Sequence, residues 1–123
     1  MAYNNIYGIR LGGENRGSTY SNTLYNTTIN NSQLFNNTYG ILLQGDVTNT
    51  MIHNSNIYNN TYGIQTVASP SSSDLVGSIH MTSSNIYNNN VGIDLTNTST
   101  TMRYYGTGAI TGNTTNSIGS YAQ

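Results

Sequence analysis

The chain repeats itself, and its repeat leaves few folds open. Four segments superpose on one glycine. They are Asn4-Asn5-Ile6-Tyr7-Gly8-Ile9-Arg10-Leu11, Leu34-Phe35-Asn36-Asn37-Thr38-Tyr39-Gly40-Ile41-Leu42-Leu43, Ile57-Tyr58-Asn59-Asn60-Thr61-Tyr62-Gly63-Ile64-Gln65-Thr66, and Ile86-Tyr87-Asn88-Asn89-Asn90-Val91-Gly92-Ile93-Asp94-Leu95. A degenerate fifth runs from Ile110-Thr111-Gly112-Asn113 to Ile118. The anchor glycines Gly8, Gly40, Gly63 and Gly92 lie 32, 23 and 29 residues apart. The shortest interval sets the unit, and the excess falls in loop-like sequence from Gly12 to Ser21 and from Ala68 to Leu75, around the single proline, Pro70. Insertions into a constant unit are what a solenoid tolerates. Other columns keep the register: Ile29, Ile52, Met81 and Tyr105, followed two residues later by Asn31, Asn54, Ser83 and Thr107. Agreement across several columns separates this chain from a disordered polar tract of the same composition.

Within each unit apolar and polar residues alternate, which is the period of a strand with one buried face. The strands are too closely spaced for intervening helices. A unit of 23 residues with several short strands winds on itself, so each strand pairs in parallel with its copy about 4.8 Å away. The crossover preference makes the winding right-handed. The expected fold is therefore all-β, a right-handed parallel β-helix of about five coils over residues 1–123, with insertions near 12–21 and 68–75 and no terminal caps. Stacking places like on like. Ile9, Ile41, Ile64 and Ile93 form one interior column, and Leu34, Ile57, Ile86 and Ile110 another. The glycine column marks a positive φ or a close backbone approach. Asn5, Asn37, Asn60, Asn89 and Asn113 form a further column, suited to left-handed turns and to amides that bond one another from coil to coil.

Asn-x-x-Gly-Ile with Ile-x-x-Asn-Asn, once per coil, resembles the parallel β-helix repeats of the pectate-lyase-like superfamily, over nearly the whole chain. The resemblance implies a fold more than a function. That superfamily includes polysaccharide lyases, glycoside hydrolases and epimerases, but also phage tailspikes, adhesins and other surface proteins. It implies an extracellular or cell-surface parent protein, although the opening Met1 to Asn5 reads as no signal peptide.

Little in the chain points to chemistry. There is no cysteine, hence no disulfide or thiolate metal site. Charged residues make up 6%, and the only cations besides histidine are Arg10, Arg16 and Arg103, so no basic stripe exists for nucleic acid and no cationic face for a membrane surface. No apolar run is long enough to span a bilayer. The Asp clusters of pectate lyases and the Asn-Thr-Asp, Asp-Asp and Gly-His-Gly motifs of polygalacturonases are absent. Glu14 and Asp46 each stand six residues after an anchor glycine, which places them on adjacent coils roughly 5 Å apart. They are the candidates for an acid/base pair or, with Asp74, for a calcium site, against the plainer reading of a solvated edge. His53 and His80 fall in different columns, and no cofactor is implied.

The aromatic residues say more. Tyr3, Phe35, Tyr58 and Tyr87 each follow an inward residue and should point outward, and Tyr7, Tyr39 and Tyr62 form a second column. Such columns either stack on themselves or present flat surfaces to sugar rings or partner side chains. Three functions are in play: a structural module that self-associates through its open ends or continues a longer β-helix, a polysaccharide-binding face on the Tyr columns, and a fragment of a lyase, hydrolase or epimerase using Glu14 and Asp46. The low charge and missing catalytic motifs put the first ahead.

Overall fold

The computed structural model describes residues 1–12, 24–45, 47–67, 77–97, 102–105 and 108–118. Among them there is no helix, and sixteen strands, β1 to β16 in chain order, form four sheets. The first sheet holds β1 (Ala2–Tyr3), β5 (Gln33–Phe35), β9 (Asn56–Tyr58), β12 (Asn85–Tyr87) and β15 (Ala109–Thr111). The second holds β2 (Tyr7–Gly12), β6 (Tyr39–Gln44), β10 (Tyr62–Val67), β13 (Val91–Asn97) and β16 (Thr115–Ile118). The third holds β4 (Thr28–Asn30), β8 (Thr50–His53), β11 (Ile79–Thr82) and β14 (Met102–Tyr105), and β3 (Leu24–Tyr25) pairs with β7 (Val47–Thr48). Every pairing is parallel and joins a strand to its counterpart in the neighbouring repeat.

The chain passes between sheets through asparagines held in left-handed conformation. Asn4, Asn36, Asn59 and Asn88 have φ of 58°, 56°, 55° and 54°. Asn31, Asn54 and Ser83 do the same at a second turn, and Asn26 and Asn49 at a third. An L-residue pays about 1–2 kcal/mol for this region, least with an Asn side chain. The left-handed member of each Asn-Asn pair is thus the first one, and the second, from Asn37 to Asn113, is free for another task.

The inward faces of the sheets meet in one core. Ile41 stacks between Ile9 and Ile64, Ile64 on Ile93, and Leu34 on Ile57, Ile86 and Ile110 in the neighbouring sheet. With Ile29, Ile52 and Met81 from the third sheet these belong to a single cluster. At the first end the same columns open out: Ile9 and Leu11 are only half-buried.

The structure narrows one expectation and corrects another. Of the two reasons for the glycine column, only close approach applies, since Gly8, Gly40, Gly63 and Gly92 are not among the positive-φ glycines. A Cβ on Gly8 would meet Gly40 O at 2.6 Å, and one on Gly40 would meet Gly63 O at 2.6 Å. In the fourth repeat Tyr104, not Tyr105, pairs with Met81, because three residues separate β14 from β15 where two separate β11 from β12, and Thr107 lies outside the described residues. In the last repeat Ser117 takes the place of Ile93, and Ile118 pairs with Asp94. The insertions around 13–21 and 68–75 also lie outside the described residues.

Ile64 is fully buried, with column mates on both sides. Ile64→Ala should cost about 2–5 kcal/mol in denaturant unfolding. Ile6→Ala, at a 64% exposed position, should stay within about 0.5 kcal/mol.

Candidate functional site

The turn between the first and second sheets carries an organised polar surface. The second Asn of each pair turns inward there and builds a ladder. Asn37 N–H and Nδ2 donate to Asn60 Oδ1 at 2.9 and 3.2 Å, and Asn60 N–H and Nδ2 donate to Asn89 Oδ1 at 2.8 and 3.0 Å. Asn89 does the same to Asn113 Oδ1 at 2.9 and 2.9 Å. The other Nδ2 hydrogen reaches back to a strand carbonyl, from Asn60 to Leu34 O and from Asn89 to Ile57 O, both at 3.1 Å. The three central asparagines are buried, and their donors and acceptors are used within the ladder.

The first Asn of each pair points out. Asn4, Asn36, Asn59 and Asn88, with Thr38 and Thr61, line a concave surface of about 660 Å³. The strand residues Tyr3, Phe35, Tyr58 and Tyr87 precede this turn, and Tyr7, Tyr39 and Tyr62 follow it. Tyr3, Phe35, Tyr58 and Tyr87 stack on one another with centroids 5.1, 5.0 and 5.0 Å apart and planes within 9°. Tyr7, Tyr39 and Tyr62 stack at 5.5 and 5.3 Å. Strand spacing is close to the separation of offset-stacked rings, so successive copies of an aromatic residue cover each other's faces. Of the two readings of these columns, the one in which they stack on themselves holds, and what they turn to solvent is ring edges. The first column ends where Tyr87 meets Thr111, the second where Tyr62 meets Val91.

Charge is scarce along this surface. Arg10 Nη2 donates to Gln44 Oε1 at 2.7 Å, and the guanidinium lies 5.6 Å from the Tyr7 ring centroid. Asp94 is 7% exposed on the second sheet, where Gln65 Nε2 donates to its Oδ2 at 3.1 Å. His53 pairs in register with Thr82 and Asn30, and His80 with Met51 and Arg103, so the two imidazoles fall in separate columns. Among the described residues no three His, Cys, Asp or Glu gather as a metal site. Glu14, Asp46 and Asp74, the candidate acid/base and calcium residues, lie outside the described residues.

Sequence reasoning missed a second ladder. Ser32 N–H donates to Ser55 Oγ and Ser55 N–H to Ser84 Oγ, each at 3.1 Å, while Ser55 Oγ donates to His53 O at 2.7 Å. Its signal was present: each Ser follows a left-handed residue, Asn31, Asn54 or Ser83, as each ladder Asn does. No protein-family model, curated protein or solved structure matches this chain.

Asn60→Ala strips the acceptor from two donors of Asn37, one a buried main-chain N–H. It should cost about 1–3 kcal/mol for each donor left unmet. Asn59→Gly, at φ 55° on the exposed side, should change stability by only tenths of a kcal/mol, since glycine adopts that conformation freely. The Tyr87 phenol is pushed above its ordinary pKa of 10.0, first by burial and then by the Tyr58 phenol beside it. A folded-state pKa raised in this way gives stability that is complete below the unfolded value and lost as pH rises through the folded one. In an ultraviolet titration, Tyr87→Phe should remove a late-ionising step.

Proposed function

We propose that this chain is a non-catalytic structural module, a rigid right-handed parallel β-helix of the pectate-lyase-like kind. In this reading it works in an extracellular or surface protein and is continued through the end formed by β1, β2 and β4. Right-handed winding is supported by the strong preference of parallel crossovers. The single observation that carries the function is the contrast between ends and middle. In the middle, polar ladders, aromatic stacks and apolar columns are satisfied by their own copies. At the first end Met1 and Tyr3 are 83% and 51% exposed, Ile9 and Leu11 are only half-buried, and β2 pairs only with β6 among the described residues. Such an edge is a template for further strands. The fitting partner is another stack of parallel repeats. The surface setting rests on the resemblance to surface β-helix proteins.

A polysaccharide-binding role is the second reading, favoured by the turn surface of about 660 Å³ with its regularly spaced Asn and Thr side chains. The geometry shifts that reading from ring faces to the amides and hydroxyls between the two aromatic columns. Its test is a glycan array with the intact chain and with Asn59→Ala plus Thr61→Ala. Binding that is absent, or unchanged in the variant, removes it. An enzyme built on Glu14 and Asp46 ranks third. Calcium that leaves the unfolding midpoint unchanged, together with inactivity on uronate polymers, argues against it.

The structural reading is tested by extending the chain. Residues 33–55, one 23-residue unit in register with the start of the chain, are duplicated ahead of Met1. The extra unit should bury Ile9 and Leu11 and raise the denaturation midpoint while unfolding stays cooperative. An unchanged or lower midpoint means that the first end does not accept a further repeat.

A further inference from the structure

The two ends of the amide ladder are chemically unlike. Each interior asparagine accepts from the repeat before it and donates to the repeat after it. At the first end Asn5 N–H donates to Asn37 Oδ1 and Asn5 Nδ2 to Tyr3 O, both at 3.0 Å, and no described residue donates to Asn5 Oδ1. That oxygen is a waiting acceptor. At the last end the donors are spent. Asn113 N–H and Nδ2 both reach Asn116 Oδ1, three residues further along, at 3.3 and 3.1 Å. The Asn116 side chain stands where the asparagine of a further repeat would offer its oxygen.

Asn116 also occupies the glycine column. Gly92 is followed in register by Asn116, whose carbonyl a Cβ on Gly92 would meet at 2.5 Å. The same geometry applied one step on puts the Asn116 Cβ into the main chain of any repeat stacked beyond it. Its neighbours change in the same sense. Ser117 replaces the isoleucine of the interior column, and Thr115 follows Tyr7, Tyr39, Tyr62 and Val91. Two adjacent columns, the glycine and the isoleucine, lose their stacking residue together, one repeat after the aromatic column gives way at Val91, as in the polar terminal repeats of solenoids.

We infer that Asn116 is a built-in stop for the ladder. The partner that fits the first end is the last repeat of another amide-laddered stack, one with a main-chain N–H and an asparagine Nδ2 still to give to Asn5 Oδ1. A second copy of this chain does not qualify, because its Asn113 donors are taken and its Asn116 side chain blocks the approach. This rests on the reading of the first end as the one that is continued, and it names the partner for that end.

Light scattering and electron microscopy across a concentration series test the inference. They compare the wild-type chain, Asn116→Gly with Ser117→Ile, and that double variant carrying Ile9→Lys. Hydrogen exchange of the Asn113 side-chain amide is followed by NMR in parallel. The wild-type chain should stay at monomer mass. The double variant should grow head to tail with concentration, and Ile9→Lys should abolish that growth. The Asn113 amide should be protected in the wild type and lose protection in the variant. Wild-type filaments that grow as readily as the variant's overturn the stop, as does equal exchange at Asn113 in both chains. If neither chain associates while Asn113 protection still depends on Asn116, the stop stands and the first end as an association surface falls.

Discussion

Parallel pairing of each strand with its own counterpart is the constraint from which the rest follows. Once strands stack at about 4.8 Å in register, the neighbour of each side chain is another residue of the same column. A residue type is then tolerated only if it packs well against itself. Isoleucine does so in the core, offset aromatic rings do so outside, and asparagine does so by donating and accepting in one direction along the stack. Glycine fills the one column where the next main chain comes too close for a Cβ. The composition that first suggests disorder, rich in Asn, Ser, Thr and Gly, is what self-stacking turns demand.

This is why so much of the fold was legible. The columns Ile9-Ile41-Ile64-Ile93 and Leu34-Ile57-Ile86-Ile110, and the aromatic sets, can be read by sliding the sequence against itself, and the strand registers place them together. The hidden parts are those where identity does not repeat or where two roles sit side by side. Asn36 and Asn37 look alike in sequence, yet one has φ 56° and faces out while the other is buried in the ladder. The Ser32-Ser55-Ser84 ladder was masked because serine has many surface uses, and its pairing shows only when the preceding left-handed residue is recognised. The slip from Tyr105 to Tyr104 comes from one additional residue between β14 and β15, which counting back from Ile110 does not reveal. The aromatic columns were found, but the orientation of their rings depends on the match between strand spacing and ring stacking rather than on sequence.

The functional reading draws on the same constraint. A site for chemistry needs unlike groups converging on one point, as when an acid, a base and an oxyanion donor meet around a substrate. Self-stacking does the opposite for the buried amides, which it spends on their own copies. Among the described residues the buried amides are absorbed in this way, and Asp94 takes a hydrogen bond from Gln65 of the adjacent repeat. Rigidity and a repeating surface are what such a structure supplies, and both suit a rod or a platform.

Stacking also creates a hazard at the ends, since an unpaired strand accepts any strand that reaches it. Proteins commonly guard such edges with charge, above all lysine. This chain has no lysine and three arginines, of which Arg10 is exposed on the edge strand β2 and Arg103 on β14. It has little electrostatic means of defence. The alternative is to interrupt the columns themselves, so that the last repeat no longer offers what a further repeat requires. Thr115, Asn116 and Ser117 do this side by side on β16, and the oxygen of Asn116 meets the amide donors that would otherwise hang unpaired. The first end carries no such change: Tyr7, Gly8 and Ile9 are ordinary column members. The polarity of the amide ladder thus makes its two ends chemically unlike, with the Asn113 donors taken up by Asn116 at one and the Asn5 side-chain oxygen without a described donor at the other.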